Sequence, residues 1–429
     1  MADANRTSVA YVAESVWGTN PGTALTELPY TGESLTIDLS KQTSKTIRSD
    51  RQKTGSRRMT FNASGGVNFE VTYGDFDPFL ESAFFSSFST APANILAKSD
   101  VAVYQASGVG GRPRYMGVTS TVFNASQWAV GHWVYVTGFT TSNNNGWKRI
   151  VAIGSDYVDV DSPVTMTNEA AGDTVNFYMP DVLRNGTTQK SFTIERAHLD
   201  VAQYFGYFGM IVNTFGINFT ANSFATGDMT FQGKNGTLGQ VTNGTGLNNA
   251  VTGNESMNSV SNIGQVMVDN AIVDTALLQA LSFQINNNLR ARNVIAATQA
   301  ASVGAGAFDV TGTLNMHFLD ETFYDKWLND TAFGLSMKLE DASSNVYIID
   351  FPKCEFTANP GPNAGGENQD CMENASFGAF RHSSTQDYTA QICRMAVGSL
   401  PTSPSSSPST SPSASTSASP SASVSASPS

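Results

Sequence analysis

Apolar and polar residues alternate along most of this chain. In SLTIDLSKQ (Ser34–Gln42), Leu35, Ile37 and Leu39 alternate with polar neighbours, and in LSFQINNNL (Leu281–Leu289), Leu281, Phe283 and Ile285 do the same. Period-two alternation marks a half-buried strand. A hydrophilic stretch follows each run, and then a second alternating run, GGVNFEVTY in the first case and TGTLNMHFL in the second. This sets Val67, Phe69 and Val71 against Leu314, Met316 and Phe318. A short helix is predicted next in both. The first is DFDPFLESAF, with Asp77 as N-cap and Pro78 at the first helical position. The second is DETFYDKWLND, with Phe323, Trp327 and Leu328 on one face. FTAN then occurs at Phe219–Asn222 and again at Phe356–Asn359. Four matches in the same order predict an internal duplication.

One large insertion separates the copies. The second helix runs almost directly into GLSMKLED (Gly334–Asp341), whereas a long stretch precedes SFTIERAHLD (Ser191–Asp200) in the first copy. That stretch contains HWVYVTGF, NNNGWKRIVAI, DYVDVDSPV and DTVNFYM, short alternating runs separated by Asn/Gly/Asp turns. An insertion at a loop tip leaves its host core intact, so this segment is expected to project outward and to be dispensable for assembly. The expected organisation is a first domain from 1–94 with 183–240, an inserted β domain at 95–182, a polar Gly/Asn-rich linker at 241–270, a second domain at 271–398, and a tail at 399–429. The tail, SLPTSPSSSPSTSPSASTSASPSASVSASPS, has no charge and no aromatic residue, so it is expected to be disordered. The fold class is mainly β: two sandwich domains, each with a short helix, and an inserted small β-barrel or sandwich.

Composition agrees with strands and turns. Charged residues are 14% of the 429 positions, against roughly 25% in ordinary soluble proteins. The net charge of −12 argues against a general nucleic-acid-binding surface. The opening MADANRTSVAYVAESVWG has no basic start followed by an apolar run, and no apolar stretch is long enough to span a bilayer. Folding in a cytoplasm without a membrane anchor is the expectation. Cys354, Cys371 and Cys393 match no zinc or redox spacing and are expected to be unpaired thiols, with a Cys354–Cys371 bridge as the alternative. Asn-x-Ser/Thr sequons, as at Asn62, Asn124, Asn185, Asn218 and Asn243, reflect composition.

Catalytic chemistry finds little footing. His132, His198, His317 and His382 have no ligand-spaced neighbours, and His317 is expected at the surface. Gly108–Arg114, GVGGRPR, precedes no helix and reads as a loop before it reads as a phosphate cradle. Asp159 and Asp161 alternate on one strand and are expected on a solvated face. No catalytic residue, cofactor or metal ligand is assigned. The marked charge cluster is KQTSKTIRSDRQKTGSRR, residues 41–58, with seven of the 24 basic residues: Lys41, Lys45, Arg48, Arg51, Lys53, Arg57 and Arg58. Removing it leaves 17 basic against 35 acidic residues, a net of −18. Such an arm suits an acidic surface on another subunit. It lacks the aromatic residues that would stack on bases, and a merely solvated hairpin is the remaining alternative.

The runs YVAESVWGTNPGT, LPYTGESLTIDLSKQTSKTIRSDRQKTGSRR and GGVNFEVTYGDFDPFLESAF resemble the tail-tube family of long-tailed bacteriophages. The resemblance covers most of 7–91 and, more weakly, 186–240 and 271–396. It implies β-sandwich domains that join side by side into rings, rings that stack into a hollow tube, and DNA that passes through without specific binding. It implies a structural virion protein assembled in the host cytoplasm, with no catalytic residues. Its expected partners are further copies of itself, together with the tape-measure, tail-terminator and baseplate proteins. In the family Lys41–Arg58 corresponds to a long loop that reaches an adjacent ring. Because family rings hold six domains, two copies per chain imply a homotrimer with pseudo-sixfold symmetry. Two other classes suit parts of the sequence: a bacterial surface adhesin on a Ser/Pro-rich stalk, and an enzyme on a β-scaffold such as a polysaccharide lyase.

Overall fold

The computed structural model describes residues 3–400 apart from 120, 124–127, 247, 270, 274–276, 365 and 383–386. The Ser/Pro run expected to be disordered lies, from 401 on, outside the described residues. The protein is mainly β, with two α-helices among the described residues.

The principal elements in chain order are β1 (Thr7–Ala13), β2 (Thr36–Thr43), β3 (Ser56–Glu70), α1 (Asp77–Phe84), β4 (Asp181–Arg184), β5 (Phe192–His198), β6 (Gln203–Thr220), β7 (Thr226–Gln232), β8 (Asn235–Gly239), β9 (Ile263–Val268), β10 (Leu278–Asn286), β11 (Asp309–His317), α2 (Thr322–Leu328), β12 (Phe333–Glu340), β13 (Asn345–Phe356), β14 (Met372–Ala379) and β15 (Gln391–Ala396). One succession of antiparallel ladders occurs twice. In the first half β1 pairs β5, β5 pairs β6, β6 pairs both β8 and β7, β7 pairs β3, and β3 pairs β2. In the second half β9 pairs β12, β12 pairs β13, β13 pairs both β15 and β14, β14 pairs β11, and β11 pairs β10. Val67 and Leu314, and Phe69 and Met316, occupy matching places and are buried. The FTAN pair does not match. Phe192 pairs Met210 where Phe333 pairs Cys354, so Phe356 corresponds by register to Val212 and not to Phe219. Ile263–Val268, within the expected linker, is strand β9 of the second half.

The halves are joined by backbone. β10 pairs β6 from Thr214↔Asn286 to Thr220↔Ala280. A continuous sheet results, in the order β2-β3-β7-β6-β10-β11-β14-β13. Phe69, Phe215, Ile217, Phe283, Ile285, Leu314 and Phe377 point from its inner side into one core shared by both halves.

The helices differ from expectation in detail. Asp77 is the first residue of α1 and Phe76 takes the cap position. The Asp77 carboxylate is buried and accepts from Tyr347 Oη at 2.5 Å and from Arg394, both in the second half. Burial, partly offset by these two donors, raises its pKa. In α2 only Phe323 is buried, and Leu328 is 60% exposed, because no outer element covers that turn.

The inserted segment forms a separate seven-stranded antiparallel sheet between Ile95 and Tyr178, with its own core around Tyr115, Trp128, Val134 and Phe177. It is not a pendant. Trp133, Trp147 and Tyr178 pack on Met267, Val346, Ile348 and Met395 of the second half. Under this contact Arg149 meets Asp350 at 3.2 Å, and Asp350, fully buried, also accepts from Ser336 and Tyr388. Gln391 donates to the Gly131 carbonyl at 3.0 Å. Removing the insert would uncover that apolar surface and leave a buried carboxylate without its cation, so its expected dispensability does not fit these contacts.

Breaking the pair from one side should therefore be costly. Arg149→Met is expected to lose about 3–5 kcal/mol in chemical denaturation, because Asp350 stays buried without its cation. Arg149→Met combined with Asp350→Leu should recover part of that loss. A single variant as stable as the parent would contradict this role.

Candidate assembly surfaces

Three surfaces stand out among the described residues. The first is the outer side of the continuous sheet. Strand alternation puts apolar residues inward and leaves Ser64, Asn68, Thr230, Asn218, Ser282, Gln284, Thr311, Thr313 and Ser376 outward. The hydroxyls pair across strands: Thr214–Thr230 at 2.6 Å, Ser282–Thr313 at 2.7 Å and Ser40–Thr60 at 2.6 Å. The middle of this face is a shallow hollow of about 330 Å³ lined by Asn218, Asp228, Gln284, Thr311 and Ser376. Its charged residues toward the middle are carboxylates, as at Asp228 and Asp309, and β6, β7, β10, β11 and β14 contain no Lys or Arg; cations stand toward its ends, at Lys41, Arg58 and Lys353. Gly312 is required here by close packing, since a Cβ would strike the Phe377 ring and the Ser282 carbonyl.

The second surface is a pair of arms. β2 and the start of β3 continue past the sheet edge, with Lys41↔Arg58 and Thr43↔Ser56 paired and the chain exposed from Leu39 to Met59. All seven expected contact residues, Lys41, Lys45, Arg48, Arg51, Lys53, Arg57 and Arg58, lie here and are exposed. Arg48 binds Asp50 through two nitrogens, at 2.7 and 3.0 Å, and Arg58 lies over the Phe61 ring at 5.0 Å. In the second half, the ribbon Arg290–Arg292 with Ser302–Gly304 takes the same place. Ile47 in the first arm is 98% exposed and Ile295 in the second is 99% exposed. Counted from the paired bases Asp38 and Asn286, they occupy the same position. Periodicity could not reveal this, because a lone apolar residue in a polar loop leaves no pattern.

The third surface is the pair of free sheet edges, β2 at one end and residues 357–364 beside β14 at the other. The latter segment bonds β14 irregularly and carries Pro360 and Pro362.

The remaining candidates are structural. Asp159 is buried, not solvated: Arg114 reaches it at 2.6 Å and the Val109 amide at 2.9 Å, while Arg112 pairs Asp161 at 2.5 Å. The Gly108–Arg114 loop and the two aspartates are thus one ion-pair cluster, in which each arginine is matched by a carboxylate. His317 lies on the polar face, 4.0 Å from Asp370. His132 is pushed down to about 4 by burial and by Arg184, and so is neutral. The three cysteines are free thiols, with Cys354 and Cys393 buried and Cys371 exposed. No group of three His, Cys, Asp or Glu among the described residues could hold a metal ion, and no helix among them is long and apolar enough to cross a membrane.

Among known proteins, the family model described as phage tail tube protein matches residues 4–379. No curated protein matches the chain.

One carboxylate lies on the wrong side of the sheet. Glu373 of β14 points inward and is 2% exposed, and its Oε1 lacks a hydrogen-bond donor. Burial, with Asp320 adding to it, pushes its pKa up to about 7. Below about pH 4.5 the group is protonated in both folded and unfolded chains and has no effect. Between there and pH 7 the unfolded chain ionises first, so stability falls as pH rises, and above pH 7 the deficit is constant. Glu373→Gln is expected to be more stable than the parent at pH 8 by on the order of 1–3 kcal/mol and equal to it at pH 4. Denaturation midpoints at the two pH values check this, and an equal difference at both would contradict it.

Proposed function

Because the chain belongs to the phage tail tube protein family, we propose that it builds the hollow tail of a virion by joining edge to edge into rings that stack and let the genome through. The observation that carries this reading is the ladder between β6 and β10. One half's sheet edge already accepts the other's through regular antiparallel bonding, so the two outer edges, β2 and 357–364, are ready to accept further copies of the same chain. Exposed strand edges invite such pairing, and closing the sheet into a ring removes them.

The polar face then lines the lumen. Phosphates approaching it meet hydroxyls, amides and carboxylates, and no cation on the central strands to hold them, so DNA slides without being bound. The insert packs on the far side of the second half and lies on the tube exterior. Two halves per chain favour three chains per ring. The arms reach the adjacent ring. Their tips carry Ile47 and Ile295, and the first tip also carries Lys45, Arg48, Arg51 and Lys53. A single exposed isoleucine is ordinary, but its recurrence at the same place on both arms supports an apolar seat on another subunit.

Electron microscopy of the purified protein tests the reading: tubes with three outer projections per ring are expected, six projections would overturn the trimer, and a protein that stays monomeric would overturn assembly. Ile47→Asp with Ile295→Asp should leave rings that sediment singly. Replacing Arg48, Arg51 and Lys53 by Ser, or raising salt, should shorten the tubes more mildly, since exposed ion pairs are each worth about 0–1 kcal/mol. Tubes of normal length from the isoleucine variant would refute the role of the tips.

A further inference from the structure

The internal junction shows how one half receives the arm of the next. At the base of the second arm, Leu289, Val303 and Ala305 pack on Phe85 and Ile211 of the first half. Phe85 is the left-handed residue that ends α1, at φ 51°, and the following amide, of Ser86, donates to the Glu81 carbonyl at 3.1 Å. Ile211 follows Met210, which pairs Phe192 just before a register shift.

The other end of the chain repeats this geometry with different side chains. α2 ends the same way: Asp330 is left-handed, at φ 48°, and the next amide, of Thr331, donates to the Lys326 carbonyl at 2.8 Å. Asp330 therefore stands where Phe85 stands. Cys354 pairs Phe333 just before a register shift, so the next residue, Glu355, stands where Ile211 stands. On the arm side, Lys41 faces Arg58 directly after the bulge in the ladder of β2 with β3. The second arm shifts register by the same step between Asn286↔Asp309 and Arg290↔Gly304, which sets Leu289 opposite Ala305. Lys41 and Arg58 thus match Leu289 and Ala305.

Four of the five apolar partners named in the internal contact have a charged counterpart, with complementary signs; the fifth, Val303, matches Ser56. Two cations stand on the free arm and two carboxylates on the free seat. All four are open to solvent: Lys41, Arg58 and Asp330 are exposed, and the Glu355 side chain is 42% exposed beside Lys353 at 2.8 Å. A carboxylate has acceptor capacity for a second cation. The backbone at this edge is also less regular. The segment matching Thr214–Thr220 bonds β14 irregularly and holds Pro360 and Pro362, so side chains are expected to supply more of the contact. Exposed apolar residues accompany the charges, with Leu39 on the arm 39% exposed and Leu328 at the seat 60% exposed.

We propose that Lys41 and Arg58 of one chain dock on Asp330 and Glu355 of a second copy, so that ring closure between chains is electrostatic where the junction within the chain is apolar. This rests on the tail-tube reading and names the partner surface for the base of the arm. The internal contact forms on folding and never has to discriminate. The external one is formed in the presence of other halves, and opposite charge directs the arm to the second half and away from the apolar seat of the first.

The test is charge reversal with rescue in the full chain. Glu355→Lys is the primary variant, since 355 is a part-exposed strand position; Asp330→Asn with Glu355→Gln is a milder second variant that keeps a residue tolerant of the left-handed backbone at 330. Circular dichroism first establishes that each folds. The concentration needed for ring or tube formation, read by sedimentation and electron microscopy, is expected to rise about tenfold or more for Glu355→Lys, as like charges meet, and less for the neutral pair. Lys41→Glu with Arg58→Glu should fail similarly alone, and combined with Glu355→Lys and Asp330→Asn should recover assembly. If the parent assembles and the seat variants assemble equally well, or if the swapped chain stays unassembled while folded, the seat is wrong. If the parent itself forms neither rings nor tubes, the assembly reading falls, and this proposal with it.

Discussion

The ladder between β6 and β10 is the constraint on which the rest depends. β6 runs from Gln203 to Thr220 and serves two sheets. Its first part pairs β5 and β8, and its last part lies between β7 and β10. Seven consecutive residue pairs fix the second half against the first. Since side chains alternate with period two, a slip of one residue would turn Phe215, Ile217 and Phe219 out to water and bring Asn218 and Thr220 into the core. The common core, the unbroken polar face and the placing of both arms at equivalent edges all follow from that register.

A chain with few charges places them with consequence. Some are buried at joints. Asp77, at the start of α1, is held by Tyr347 and Arg394, and Arg394 also reaches Asp181. Arg149 and Asp350 lock the insert to the second half. These pairs tie together pieces that are remote in sequence. Seven of the 24 basic residues lie on one arm, and the central strands β6, β7, β10, β11 and β14 carry none. In the proposed tube, this separation of charge would let one molecule adhere to its copies and let a polyanion pass.

Much of the architecture was legible in the chain. The alternations at Leu35–Ile37, Val67–Val71, Phe283–Ile285 and Leu314–Met316 mark strands because burial on one side of a sheet imposes period two, whereas Phe318, past the end of β11, is 39% exposed and does not match buried Val71. The shared order of strand, strand and helix revealed two related halves, and the seven basic residues marked the arm. Local signals failed where tertiary contact decided. Asp77 has the chemistry of a cap but is drawn into the helix by Tyr347 and Arg394. Asp159 alternates like a solvated residue but is buried by Arg114 from another strand. FTAN repeats by letters and not by register.

The sequence by itself determined the strands, the helices, the repeated order and the uneven charge, because each of these is written in neighbouring residues. Only the tertiary structure decided which edges join, which side of the sheet is left polar, and that the insert is bound to the second half. It alone matched Lys41 and Arg58 with Leu289 and Ala305, and Phe85 and Ile211 with Asp330 and Glu355. Those correspondences depend on hydrogen-bond register and on a left-handed helix end, and strands far apart in the chain acquire a register only when they pair.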